Sequence, residues 1–216
     1  DAVERLARTG AVDPNQMIGI YTQRLPSASG GVWDRVDAIQ VLETALNAGD
    51  PGAVRKALPP AWRSMQANGA EALFAQIFAD RLGALPLDGP VAAIALKLAA
   101  LSDNYETLVP KLGNPVRDAA LVALARGTAI PTPSGAVQSA LSAGFDGAAA
   151  PADLARLVSQ NQIGEAVLRA ITVFEAGMQG DPSQLTDALR LFRQGGLEDV
   201  ARRAALQALV LGRNTG

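Results

Sequence analysis

Two charged residues on apolar helical stretches are the best candidates for chemistry in this 216-residue sequence. Glu175, in "ITVFEAGMQG", could act as a buried acid. At 100° per residue, however, it lies about 80° from Val167, on the flank of the apolar stripe. Lys97, in "VAAIALKLAAL", could be a nucleophile with a lowered pKa, but long lysines usually reach water. We interpret both as surface charges without a catalytic role.

Small-residue loops and aromatic residues offer weaker signals of binding. The loops "SASGG" (27–31) and "TPSG" (132–135) could present backbone N–H groups to an anion. They lack the long glycine spacing and the lysine of a phosphate-binding loop. Four aromatic residues could line a ligand groove, although core packing is the better interpretation: Tyr21, Trp33, Trp62 and Tyr105.

The composition excludes several classes of function. The sequence has neither His nor Cys, which removes Ser–His and Cys–His catalysis and the usual zinc sites, so we predict no catalytic residue, no metal and no cofactor. Its net charge is −2, with 19 basic residues scattered among 21 acidic ones and no basic stripe for nucleic acid. No charge-free apolar run approaches about 18 residues, so no membrane-spanning segment is predicted.

The segment "GDPSQLTDALRLFRQGG" (180–196) resembles a loop motif, but each residue has a structural explanation. Asp181 is at an N-cap position and Pro182 at the first helical position. Gly195 and Gly196 are typical of a left-handed helix stop. The apolar residues between these signals recur every three or four positions, as one helix face does: Leu185, Leu189 and Phe192. We therefore interpret the segment as a helix with its two ends.

The same start signal recurs along the chain. Gly-Asp-Pro or Gly-Asn-Pro begins at positions 49, 113 and 180, and the prolines that we place at helix starts are about 34 residues apart on average. Such a period is typical of helical-hairpin repeats. Alternating β-branched and aromatic patterns are scarce. The predicted fold is all-α, a right-handed α-solenoid of antiparallel helical hairpins with a degenerate repeat of about 34 residues.

We predict one helical repeat domain over residues 1–216, with a subdivision near 127–150, where loops surround a weak helix. The "LPP" at 58–60 should interrupt any helix that crosses it. Because the chain starts at Asp1, we expect a processed product or a piece of a longer protein. The predicted helices are 2–9, 14–24, 32–48, 51–58, 60–68, 70–82, 90–101, 104–112, 115–126, 135–143, 151–160, 163–178, 182–194 and 197–211.

The last predicted helix has apolar residues on two sides. One face should pack on the preceding helix: Leu197, Val200, Ala201, Ala204, Ala208 and Leu211. Leu206, Leu209 and Val210 lie on the other side, where a terminal solenoid helix is usually polar. We therefore predict that these three residues contact a protein partner, a second copy of the chain, or further native chain.

Three segments resemble a known family: "LARTGAVDPNQMIGIY", "NAGDPGAVRKALPPAW" and "GLEDVARRAALQALVL". The chain is similar to Ala/Leu-rich, tetratricopeptide-like α-helical repeat proteins that Gram-negative bacteria export to the cell envelope. It departs from true tetratricopeptide repeats, whose Trp, Gly and Tyr positions do not recur here. The resemblance implies a periplasmic or exported protein, with a cytoplasmic location as the alternative, and it implies no activity or site residues.

We therefore expect a non-catalytic scaffold or protein-binding module of the envelope. Its partner would be another protein, and the sequence is also compatible with a homo-oligomer. One alternative is the helical, non-catalytic region of a cell-wall hydrolase such as a lytic transglycosylase, which a downstream catalytic domain would support. The other alternative is a small-molecule sensor, which a closed apolar cavity with a few polar groups would support.

Overall fold

A computed structural model describes residues 2–9, 11–12, 16, 19–20 and 32–212. Within these ranges every regular element is an α-helix, so the all-α prediction is confirmed there. The helix predicted at 14–24 and the loop at 25–31 lie outside the described residues. The twelve described helices are α1 Ala2–Arg8, α2 Val32–Asn47, α3 Pro51–Gln66, α4 Glu71–Gly83, α5 Gly89–Leu101, α6 Tyr105–Leu112, α7 Ala119–Ala125, α8 Gly135–Ala143, α9 Ala152–Ser159, α10 Ile163–Gln179, α11 Ser183–Gln194 and α12 Glu198–Leu211.

The chain divides into two compact units, Asp1–Leu108 and Val109–Gly216. The boundary therefore precedes the stretch 127–150, where the sequence suggested a subdivision. That stretch belongs to the second unit because its loops are tied to neighbouring helices. Ile130 is buried and bonds the Ser142 hydroxyl through both its N–H and its carbonyl. The backbone N–H of Ala150 donates to the Gln194 side chain in α11.

The first unit is built around α4, which is apolar on two sides. Its large residues Leu73, Phe74, Phe78 and Leu82 are buried, and so are Ala75 and Ala79, which extend the buried face around the helix beyond Leu82. The Phe74 ring lies 5.0 Å from that of Phe78 and 6.4 Å from that of Trp62 in α3. Helix α4 contacts both α3 and α5, so it packs between two neighbouring helices.

The link between α2 and α3 shows why Gly-Asp-Pro marks a helix boundary. Gly49 has a φ of 63°, and its N–H and that of Asp50 close the end of α2 on the carbonyls of Leu46 and Ala45. The Asp50 carboxylate then accepts the N–H of Gly52 at 2.8 Å, and Pro51 opens α3. At the start of α11, Asp181 accepts the N–H of Ser183 at 2.9 Å in the same way. The predicted Asp50 cap is confirmed. Helix α11 starts one residue later than predicted, with Pro182 rather than Asp181 at the N-cap position.

Replacing Asp50 with Ala should destabilise the protein by about 1 kcal/mol, because the first turn of α3 loses its side-chain acceptor. Asp50→Asn, which keeps an acceptor oxygen at the same position, is the matched control and should stay close to wild type. Urea unfolding followed by circular dichroism measures both. Equal losses in the two variants would mean that charge, rather than capping, is what Asp50 contributes.

The prediction that "LPP" interrupts a helix is wrong, because α3 continues through Pro59 and Pro60. The two prolines remove the bonds to the carbonyls of Arg55 and Lys56. Lys56 and Pro60 are exposed, so water can hydrate the freed carbonyl groups on this side. The opposite side of α3 is a continuous buried face that holds the helix together: Val54, Ala57, Leu58, Ala61, Trp62 and Met65.

The helix predicted from residue 115 begins at Ala119 instead. Asn114 accepts the N–H groups of Val116 and Arg117, as predicted for a cap, but the capped residues form turns. Asp118 reciprocates by accepting the Asn114 N–H at 2.8 Å. These side chains satisfy the local backbone without a helix, which is how Asn and Asp compete with helix formation.

Candidate protein-contact surface

The second unit is organised around α11, whose residues are buried on two sides. The predicted face of Leu185, Leu189 and Phe192 is buried, and Ala188 and Leu191 are buried as well. This helix packs against α8, α9, α10 and α12. Helix α11 is therefore the central helix of this unit. The face that each neighbouring helix packs against α11 determines which of its other residues are exposed.

Helix α10 packs against α11 through its small residues. Ala166, Ala170 and Gly177 recur every four or seven positions and are the buried residues of α10. A Cβ atom on Gly177 would lie 2.8 Å from the backbone nitrogen of Leu185, a distance at which the backbone would have to shift. The two helices therefore approach closely along this line, as helices with small interface residues can.

The larger apolar residues of α10 are consequently left at the surface. Ile171 and Met178 are 44% and 39% exposed. Val167 and Phe174, on the same face of the helix, are half-buried. These four residues form the stripe that the sequence showed in this helix, and we call them the α10 stripe. Leu168, beside it, is 63% exposed.

Three residues of α12 were predicted to lie on its outer side and contact a partner, and their exposure differs from that prediction. Leu206 is 0% exposed, so the prediction that it lies on the outer side is wrong, while Leu209 and Val210 are half-buried. A partner contact at Leu209 and Val210 stays a prediction.

The predicted packing face of α12 is also wrong in part, because Val200 and Leu211 are exposed. The helix is rotated so that the alanines 201, 205 and 208 are buried together with Leu206. Small residues on this side allow α12 to pack closely against α7 and α11. A charge introduced at Leu206 would therefore be buried and would report on folding rather than on binding.

The exposed end of α12 continues the apolar surface of α10. The Met178 methyl group lies 3.8 Å from the position that a Cβ on Gly212 would occupy. Leu211, the residue before it, is 38% exposed. The apolar surface of α10 therefore extends to the last turn of α12.

The charged candidates on apolar helices are both at the surface. Glu175 and Lys97 are exposed, which agrees with their interpretation as solvated side chains. Among the aromatic candidates, Trp62 and Tyr105 are buried in the core and Trp33 is half-buried. Tyr21 lies outside the described residues, as does the loop at 27–31.

A cavity of about 340 Å³ lies beside two arginines of α11, Arg190 and Arg193. Arg190 donates to the carbonyl of Ala143 and to Asp146, and Arg193 donates to the carbonyl of Gly144 and to Glu198. The guanidinium of Arg193 also lies 5.1 Å from the centre of the Phe145 ring. These contacts attach α11 to the C-terminal end of α8, where cations are favourable. The arginines therefore have a structural explanation.

A second cavity, of about 610 Å³, opens along α2. Its described lining mixes polar side chains, such as Gln40 and Thr44, with apolar ones, such as Val41 and Ala53, and it is an open groove rather than an enclosed pocket. A small-molecule site is typically an enclosed apolar pocket with few polar groups. This cavity does not have that character, so it does not favour the sensor alternative.

Within the described ranges, no three His, Cys, Asp or Glu side chains come together as a metal site would require. None of the helices there combines the length and the hydrophobicity that spanning a bilayer requires.

Three aspartates have lowered pKa values for local reasons. Hydrogen bonds from the Ser183 hydroxyl and N–H hold the pKa of Asp181 below its ordinary value of 3.8. The Arg117 guanidinium lowers the pKa of Asp118, and the Ala148 N–H lowers that of Asp146. These contacts stabilise the fold above pH 3.8 and are lost as the pH falls through the lowered folded-state values. The three aspartates should therefore make the protein acid-labile.

Asp181→Asn should reduce this acid lability, because an amide oxygen can still accept the Ser183 N–H but does not titrate. At neutral pH the variant should unfold at a urea concentration close to that of wild type. Between about pH 6 and about pH 3 its loss of stability should be smaller than that of wild type. Urea unfolding at the two pH values measures this, and an identical acid loss in both proteins would contradict it.

No family model matches the chain, and neither a curated protein nor a solved structure matches it.

Proposed function

We propose that the chain is a non-catalytic protein-binding module, and that the α10 stripe is its contact surface. The observation that carries this proposal is the orientation of α10. Its small residues are buried against α11, and Ile171 and Met178 remain exposed with Leu168 beside them. Single exposed aliphatic residues are ordinary, but several on one helix face are typical of an interaction surface.

A non-catalytic role is supported by the chemistry of the candidate residues. The sequence has no His and no Cys, the residues on which most nucleophile–base pairs depend. Glu175 and Lys97, the best remaining candidates, are exposed to water. Glu175→Gln should therefore leave any catalytic turnover of the protein unchanged.

We also propose that the helices are arranged as a solenoid of antiparallel hairpins with a repeat of about 34 residues. In each unit a long helix is joined to the helix that it packs against by Gly-Asp-Pro, α2 to α3 and α10 to α11. Small-angle scattering tests this arrangement. A compact 216-residue domain would have a radius of gyration of about 17 Å, and a solenoid should exceed that value.

The proposed location is the periplasm. The support is the resemblance of the chain to exported helical-repeat proteins of Gram-negative bacteria. A module of this kind would act there as a scaffold that holds other envelope proteins.

Capture from the native host tests the proposed function. The full-length protein is cross-linked in living cells and purified in three forms: wild type, Ile171→Glu and Val116→Glu. Val116 is 86% exposed in a loop and serves as the matched control. We expect one protein to be recovered specifically with wild type and with the control, and to be lost with Ile171→Glu. Equal recovery with all three forms would contradict the proposal, provided that circular dichroism shows all three to be folded.

A further inference from the structure

The α10 stripe has the spacing of a coiled-coil seam. Val167, Ile171, Phe174 and Met178 follow one another at steps of four, three and four residues. Alternating steps of four and three residues are those between the a and d positions of a heptad, which form the row of side chains that one α-helix presents to another in a coiled coil. A row of side chains about 16 Å long, at 1.5 Å per residue, matches about three turns of a partner helix. The geometry of the stripe therefore fits another α-helix.

Two exposed acidic residues lie beside the α10 stripe and at its C-terminal end. Glu175 lies about 40° around the helix from Ile171 and is exposed. Asp181, also exposed, follows the C-terminal end of α10. The last turn of α10 has no basic residue, although cations are favourable at a helix C-terminus. The end of the stripe at Met178 is therefore bordered by negative charge.

The nearest cation on α10 is not available to this surface. Arg169 lies about 160° around the helix from Ile171, and its side chain is paired with Glu165 at 2.9 Å. A second copy of the chain, packed stripe against stripe, would thus bring another Glu175 and no α10 cation to the interface. Charge complementarity favours a different partner.

We propose that the α10 stripe binds a cationic amphipathic α-helix of another protein, one that has heptad-spaced apolar residues and Lys or Arg residues facing Glu175 and Asp181. The inference rests on the proposed function, and it names the chemical class of the partner. Its apolar residues pack along the stripe as a helix packs in a groove, and its basic residues select against neutral and acidic helices.

Two synthetic helical peptides test the charge preference. Both have about 20 residues with leucines at heptad spacing, and they differ only in carrying lysines or glutamates beside the leucines. Fluorescence anisotropy at low salt gives the dissociation constants for wild type, Ile171→Glu, Glu175→Lys and Val116→Glu. We expect the lysine peptide to bind wild type about tenfold more tightly than the glutamate peptide, with the preference weakened by salt.

The variants separate the contribution of apolar packing from that of charge. Ile171→Glu should abolish binding of both peptides, Glu175→Lys should remove or reverse the preference between them, and Val116→Glu should behave as wild type. Equal affinities for the two peptides, or no binding of either, would overturn the inference. If Ile171→Glu nevertheless prevents capture of the native partner, the proposed function stands and only the partner class is wrong.

Sedimentation equilibrium of the protein alone tests whether a second copy of the chain, rather than another protein, binds the stripe. We expect a monomer at micromolar concentrations for wild type and for Ile171→Glu. A wild-type dimer that Ile171→Glu dissociates would overturn the inference, because the stripe would then belong to a contact between two copies of this chain.

Discussion

Arg35→Ala should lower the free energy of unfolding by about 3–5 kcal/mol, because it leaves the Glu4 carboxylate buried without its guanidinium partner. Arg35 and Glu4 are both buried, and they form two hydrogen bonds, at 2.9 and 2.6 Å. A third bond, of 2.9 Å, runs from Arg35 to the side chain of Asn68. These contacts attach α1 to α2 and to the residues after α3. Urea unfolding followed by circular dichroism measures the loss.

Arg169→Ala is the matched control, since it removes the exposed ion pair with Glu165. Exposed pairs of this kind contribute only about 0.3–0.5 kcal/mol. Replacing Glu4 and Arg35 together by leucine should recover much of the loss, because no buried charge then remains. If Arg35→Ala costs no more than Arg169→Ala, the buried pair is not what holds α1 in place.

Gly177→Ala should destabilise the second unit by about 1–3 kcal/mol, although alanine is the better helix former. The added methyl group would lie 2.8 Å from the Leu185 nitrogen and 3.0 Å from two Leu185 side-chain carbons. The two helices must therefore separate to accommodate it. Thermal unfolding of the variant measures the loss.

Gly164→Ala is the control on the same helix, because no heavy atom lies within 4 Å of the position of its Cβ. It should leave the melting temperature unchanged or raise it, since alanine stabilises a helix relative to glycine. A rise in melting temperature for both variants would mean that α10 and α11 do not approach closely at Gly177. Close packing of the two helices could then not explain why the α10 stripe faces outward.

Several helix starts and stops could be predicted because they depend on neighbouring residues alone. Asp50 and Asp181 accept N–H groups only two residues away, and Gly196, with a φ of 79°, ends α11 where the sequence placed the stop. Such contacts are determined by a few successive residues. The rest of the fold does not have to be known for them to be inferred.

The double proline was misjudged because its cost depends on exposure. A proline pair frees two carbonyl groups of the preceding turn, and in α3 the exposed residues Lys56 and Pro60 leave this side of the helix open to water. The pattern of buried residues from Val54 to Met65 continues through the prolines without a change of face. The continuous apolar face was visible in the sequence, and it was a stronger indication of the helix than the proline pair was of an interruption.

The candidate surface could be predicted only in part. The sequence shows the apolar stripe of α10, but a stripe of large residues usually indicates the buried side of a helix. In α10 the small residues face inward, because Gly177 permits a close approach that larger residues would prevent. Which face of α12 is buried depends likewise on neighbouring helices, so Leu206 was assigned to the wrong side.

Site-specific photo-cross-linking tests most directly whether the α10 stripe is a protein-contact surface. A photoreactive amino acid is placed at Leu168, which is 63% exposed beside the stripe, or at Val116 in the control loop, in the full-length protein in its native host. We predict that the probe at 168 cross-links to one specific protein through a lysine- or arginine-rich helix and that the probe at 116 does not. An absence of cross-links at 168, or the same products at both positions, would contradict the account.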